Sequence, residues 1–66
     1  MELNQTEKLL INVLYFAHKP LSTSEVAKRS QMAWQTAKKH LETLQRFGLL
    51  DSMKKGNAIY WWIKVE

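Results

Sequence analysis

From Leu3 to Ala17 the positions Leu3, Thr6, Leu10, Val13, Leu14 and Ala17 recur at intervals of three and four, which places them on one side of a helix with ~3.6 residues per turn. A first helix is predicted over about residues 3–18 and ends before Pro20, because the residue preceding a proline is pushed out of the α region. Ser22 and Glu25 then stand at the spacing of a capping box, with Leu21 and Val26 placed as a hydrophobic staple. A second helix over about 23–29 follows. After a short polar break at Ser30 and Gln31 the period resumes through Ala37, Leu41 and Leu44, predicting a third helix over about 33–47. Gly48 is placed to close it in a left-handed conformation, with Leu49 folding back onto the last turn as in a Schellman motif.

Beyond Gly48 two β-prone segments, Leu49 to Met53 and Ala58 to Ile63, flank the polar turn Lys54-Lys55-Gly56-Asn57 and predict a hairpin over about 49–64. The expected fold is α+β and mostly helical: three helices and a C-terminal two-stranded β-hairpin in one domain spanning residues 1–66. The sequence contains no internal repeat, linker or low-complexity segment.

The run Thr36-Ala37-Lys38-Lys39-His40-Leu41-Glu42-Thr43-Leu44-Gln45-Arg46-Phe47-Gly48-Leu49-Leu50 resembles the T-V-x-x-H-L-x-x-L-x-x-x-G-L-[IL] pattern of the winged helix-turn-helix transcription regulators of bacteria, archaea and their viruses. Upstream, Pro20-Leu21-Ser22-Thr23-Ser24-Glu25-Val26-Ala27 is similar to that family's entry into its second helix. The resemblance implies a sequence-reading protein for double-stranded DNA, with helix 3 in the major groove and the hairpin as a wing on the backbone or in the minor groove. Three positions depart from the pattern. Gln31 stands where the turn often has glycine, Ala33 where a hydroxyl often caps helix 3, and Ala37 where a β-branched core residue is usual.

Charge sharpens the picture. Residues 1–33 carry four Lys or Arg against three Glu, whereas residues 34–66 carry six against three, so most of the net +4 lies in the second half. Such a balance suits a polyanion, and on its own is equally ordinary solubilising charge. At ~100° per residue, with Ala37 and Leu41 inward, helix 3 directs Gln35, Lys39, Glu42 and Arg46 outward, flanked by Lys38 and Gln45 on one side and Thr36 and Thr43 on the other. Gln pairs bidentately with adenine, Lys donates to guanine or phosphate, and Glu accepts from cytosine. The bland alternative is a solvated face on which Glu42 bridges Lys38 or Arg46. Trp34 is a packing residue or one that stacks on sugar or a thymine methyl. Lys54, Lys55 and Asn57 are the expected wing contacts, or else a soluble turn that discourages edge association. Ser22 and Thr23, with Ser24, are candidate phosphate donors at the start of helix 2, although capping alone accounts for Ser22.

An enzyme is not expected. His18 and His40 have no cysteine or carboxylate at a ligand-like spacing, so no metal is expected, and no Gly-rich phosphate loop or nucleophile motif calls for a cofactor. With no cysteine, and no apolar run near the ~20 residues that span a bilayer, the chain is expected to be cytoplasmic and nucleoid-associated. At 66 residues the domain buries only ~60% of its unfolded surface, and Leu9, Phe16, Tyr60 and Trp62 find no obvious place in its core. They are the expected interface of a homodimer built on helix 1, the last strand, or both. The same apolar surplus supports the competing function, a winged-helix module for protein contacts; RNA is a weaker candidate, because its major groove is too narrow for a helix.

Overall fold

The computed structural model describes residues 3–64; the outermost residues of the expected domain, 1, 2, 65 and 66, lie outside that range. The elements run α1 (Gln5–Ala17), β1 (Leu21–Ser22), α2 (Thr23–Arg29), α3 (Trp34–Arg46), β2 (Leu50–Lys55) and β3 (Ala58–Ile63).

Local chemistry sets the boundaries. α1 starts two residues later than its apolar period indicates, because Asn4 caps it: the Asn4 side chain accepts from the Glu7 backbone N–H at 2.8 Å, and the Glu7 carboxylate accepts from the Asn4 N–H at 3.2 Å. This reciprocal pair is a capping box. It ends at His18, which takes the left-handed conformation at φ 56° before Pro20 is reached. At α2 only half of the expected box forms. Ser22 Oγ accepts from the Glu25 N–H, but the Glu25 carboxylate instead meets Arg29 at 3.5 Å one turn on. The staple residues Leu21 and Val26 are both fully buried.

The tight turn between α2 and α3 is made without glycine. Gln31 itself adopts φ 57°, the Met32 N–H donates to the Ala27 carbonyl, and the Gln31 N–H donates to the Lys28 carbonyl. These are the two hydrogen bonds of a Schellman motif, and Met32 packs on the core as its apolar contact. The same motif ends α3, with Gly48 at φ 85°, its N–H on the Gln45 carbonyl and the Leu49 N–H on the Leu44 carbonyl. Since a left-handed conformation costs a side-chain-bearing residue roughly 1–2 kcal/mol, Gln31→Gly is expected to raise stability by about 0.5–1 kcal/mol, the gain being trimmed by glycine's larger unfolded-state entropy. Urea unfolding checks this; a loss of stability would show that the Gln31 side chain holds the turn. Ala33 at the N-cap of α3 makes no side-chain cap bond.

The sheet departs from expectation by one strand. Leu21 and Ser22 pair antiparallel with Trp61 and Tyr60, giving three strands in the order β1-β3-β2, with β3 in the middle. Trp61 and its neighbours Ile59 and Ile63 turn toward the helices, where Trp61 joins Leu10, Leu14, Leu21, Val26, Leu41, Leu44 and Leu50 in the core. Tyr60 and Trp62 lie on the outer face and are half-buried rather than left bare.

Candidate nucleic-acid interface

The outer face of α3 is open. Trp34, Gln35, Thr36, Lys39, Glu42 and Arg46 are exposed, and Lys38 is half-exposed. One flank is organised: the Lys38 ammonium stands 5.4 Å from the centroid of the Trp34 ring and 3.9 Å from the Glu42 carboxylate. This Trp34-Lys38-Glu42 ladder, one step per turn, holds Lys38 along the helix edge, and the exposed ion pair adds at most about 1 kcal/mol to stability. Gln45 is engaged elsewhere, accepting from Ser52 Oγ at 2.9 Å and so tying the end of α3 to the hairpin.

The hairpin is tighter than the four-residue turn read from the sequence. Lys54 pairs with Ile59 and Lys55 with Ala58, leaving Gly56 and Asn57 as a two-residue loop with Gly56 at φ 61°. Successive strand residues point to opposite faces, so the two lysines part company. Lys54 lines a cleft of about 290 Å³ together with Ser22, Thr23, Ser24, Trp34, Asn57, Ala58, Ile59 and Tyr60, between the start of α3 and the hairpin. Lys55 borders a different cleft on the outer face of the sheet, with Lys19, Pro20, Met53, Tyr60 and Trp62. The expected Lys54-Lys55-Asn57 cluster is therefore divided: Lys54 and Asn57 share a concavity with Trp34 and Ser22, and Lys55 faces away.

Thr23 is corrected. It is buried at 2% exposure, its Oγ1 accepts the Trp61 indole N–H at 2.7 Å and donates to the Ile59 carbonyl at 3.4 Å. With its one hydroxyl proton used inside the fold, the buried side chain has no donor left for a phosphate, and its role is to satisfy the indole. Ser24, beside it, is exposed and free to donate.

With a three-helix, three-stranded architecture and its interface in place, solved structures of the same shape can be compared. The transcriptional regulator PcaV of Streptomyces coelicolor superposes with a TM-score of 0.87 at 23% identity over 96% of this chain and 46% of its own. A homodimeric winged helix-turn-helix DNA-binding domain from Mycobacterium bovis superposes at 0.81, with 23% identity over 91% of this chain and 54% of its own. This chain has the winged-helix fold. A variant of Lactococcus lactis ZitR in complex with DNA has the same winged helix, at TM-score 0.80 and 20% identity over 96% of this chain and 44% of its own. The chain spans about half the length of these three. No protein-family model and no curated protein sequence matches it.

The winged helix also carries an apolar strip that the four expected dimer residues describe only in part. Leu9 and Phe16 are exposed at 42% and 70%, on the same side of α1. The Phe16 ring meets Tyr15 edge-on at 5.2 Å, and Tyr15, itself exposed, borders a cleft with Leu14, His18, Lys19, Pro20, Trp62 and Ile63. Tyr15 thus links Phe16 to Trp62, a role its position off the predicted helix stripe concealed. His40 is half-buried with Nδ1 3.9 Å from the Glu7 carboxylate, joining α3 to α1. Among the described residues no three His, Cys, Asp or Glu side chains are grouped to hold a metal ion, and no helix is long and apolar enough to cross a membrane.

Proposed function

We propose that this winged helix is a sequence-reading regulator of double-stranded DNA, inserting α3 into the major groove and resting its hairpin on the backbone or in the minor groove. One observation carries the reading: the exposed polar and cationic face of α3 continues, through the cleft shared by Trp34, Ser22, Lys54 and Asn57, onto the hairpin. Gln35, Lys38 and Lys39, near the N-terminus of α3, are the base-reading candidates, since that end of a recognition helix reaches the base edges. Thr36, Glu42 and Arg46 border them, and Ser22, Lys54 and Asn57 hold the backbone. The reading is supported by two proteins of the same fold, ZitR in its complex with DNA and the homodimeric DNA-binding domain of Mycobacterium bovis. Selection of bound duplexes from a random pool tests the proposal. A recovered consensus supports it, and a pool that stays random contradicts sequence reading.

The reading extends to a homodimer, since a single recognition helix reads few base pairs and a two-fold partner adds a second half-site ~34–36 Å away. Leu9, Phe16, Tyr60 and Trp62, with Tyr15 between them, supply its apolar contact. Sedimentation equilibrium at micromolar concentration is expected to show a dimer that Phe16→Glu converts to a folded monomer. A monomer at every concentration, indifferent to that substitution, would remove the dimer and favour the protein-contact module, for which the 70% exposure of Phe16 is the specific observation.

A further inference from the structure

A helix seated in the major groove and a hairpin reaching the adjoining minor groove lie on either side of one sugar–phosphate strand, because that strand is what separates the two grooves. In this fold α3 and the hairpin part at the cleft of about 290 Å³ that runs between Trp34 and Lys54. Its lining has two chemistries. Lys54, Asn57, Ser22 and Ser24 bring a cation, an amide and two hydroxyls, the groups that commonly hold phosphate. Trp34 brings a large flat apolar surface that is 45% exposed and stands outside the buried core cluster. The Lys38 ammonium covers one face of the indole, which fixes the ring's attitude while keeping it at the cleft.

We infer that this cleft seats one sugar–phosphate step of a DNA strand, with the Trp34 ring packed on the deoxyribose and Lys54, Asn57 and Ser24 around the phosphate. The inference rests on the duplex reading and gives it a register: Trp34 sets how far α3 advances along the groove before its Gln35 and Lys39 side chains meet base edges. A contact of this kind carries no sequence information, because every nucleotide presents the same sugar. It also excludes Lys55 from the strand, since that side chain lines the opposite face of the hairpin.

The test uses the full chain, a mixed-sequence duplex of about two helical turns at low salt, and the duplex recovered by selection. Trp34→Ala is expected to weaken both duplexes alike by about tenfold, whereas Trp34→Phe, which keeps an aromatic face, stays within about threefold of the parent. The chain has three tryptophans; Trp61 is buried at 1% exposure and Trp62 borders the clefts on other faces, so the emission change that duplex causes in the parent and not in Trp34→Phe belongs to Trp34. Its emission is expected to change on titration with the mixed-sequence duplex. Loss confined to the selected duplex would show a base contact and overturn the sugar assignment, as would unchanged affinity with unchanged emission. Should Trp34→Ala not fold, Trp34→Phe and the emission titration decide the matter. A parent chain that binds no duplex at all would defeat the function itself, whereas duplex binding indifferent to Trp34 defeats this inference alone.

Discussion

Trp61→Ala is expected to destabilise the domain by about 3–5 kcal/mol, at least about a third of its total stability. The indole is the largest fully buried side chain, it sits in the middle strand of the sheet opposite Leu21 and Ser52, and it closes the core over Leu10, Leu14 and Leu41. Removing a buried aromatic ring costs ~3–5 kcal/mol when the cavity cannot collapse. The total stability of a domain this size is only about 3–10 kcal/mol. The indole N–H adds a second handle. It donates to Thr23 Oγ1 at 2.7 Å, so Thr23→Val keeps the volume but orphans a buried donor at a cost of about 1–3 kcal/mol. Trp61→Phe removes the donor along with part of the ring. Adding Thr23→Val to Trp61→Phe should therefore cost less than Thr23→Val does alone in the parent. Urea unfolding followed by circular dichroism measures the parent and all four variants; a Trp61→Ala variant that unfolds like the parent would mean that β3 does not close the core.

The second large effect concerns the division of labour between α3 and the hairpin. Gln35→Ala or Lys39→Ala is expected to weaken binding to the selected duplex by about 1–3 kcal/mol, the worth of a true base contact, and to change random-duplex binding much less. Lys54→Ala should weaken both duplexes alike and reduce the salt slope by about one. Lys55→Ala, although adjacent in sequence, should do neither to a comparable degree, because strand alternation turns it to the outer face. Binding isotherms for the four variants on both duplexes test this. Equal losses for Lys54→Ala and Lys55→Ala would show that the hairpin tip meets DNA end-on, and unchanged affinity of the α3 variants for the selected duplex would show that another surface reads it.

The helices were legible because their signals are local. The periodic Leu10, Leu14, Ala37, Leu41 and Leu44, the Ser22 cap and the Gly48 terminus each act within a turn or two of themselves, and the structure uses all of them. The Asn4-x-x-Glu7 cap was equally readable, and was obscured only because the apolar period continues back to Leu3. β1 is a different case. Two residues make no strand pattern, and Leu21 and Ser22 already account for themselves as staple and cap; their pairing with Trp61 and Tyr60 depends on how the chain returns some forty residues later. Thr23 was misplaced for the same reason, since the donor it serves is 38 residues away. In the site, the facing of α3 followed from its period. The parting of Lys54 from Lys55 needed the end of β2, which the Lys54-Lys55-Gly56-Asn57 composition hides by reading as one polar turn.

Whether the face joining α3 to the hairpin binds duplex DNA is decided by the affinity of the unmodified chain for a mixed-sequence duplex across a salt series. Arg46 and Lys54 lie on that face away from the base-reading end of α3, and each phosphate they neutralise releases condensed counterions. The logarithm of the association constant is therefore expected to fall linearly with the logarithm of salt concentration, with a slope of about −2 per bound protomer. Binding absent at low salt, or present and indifferent to salt, would contradict it.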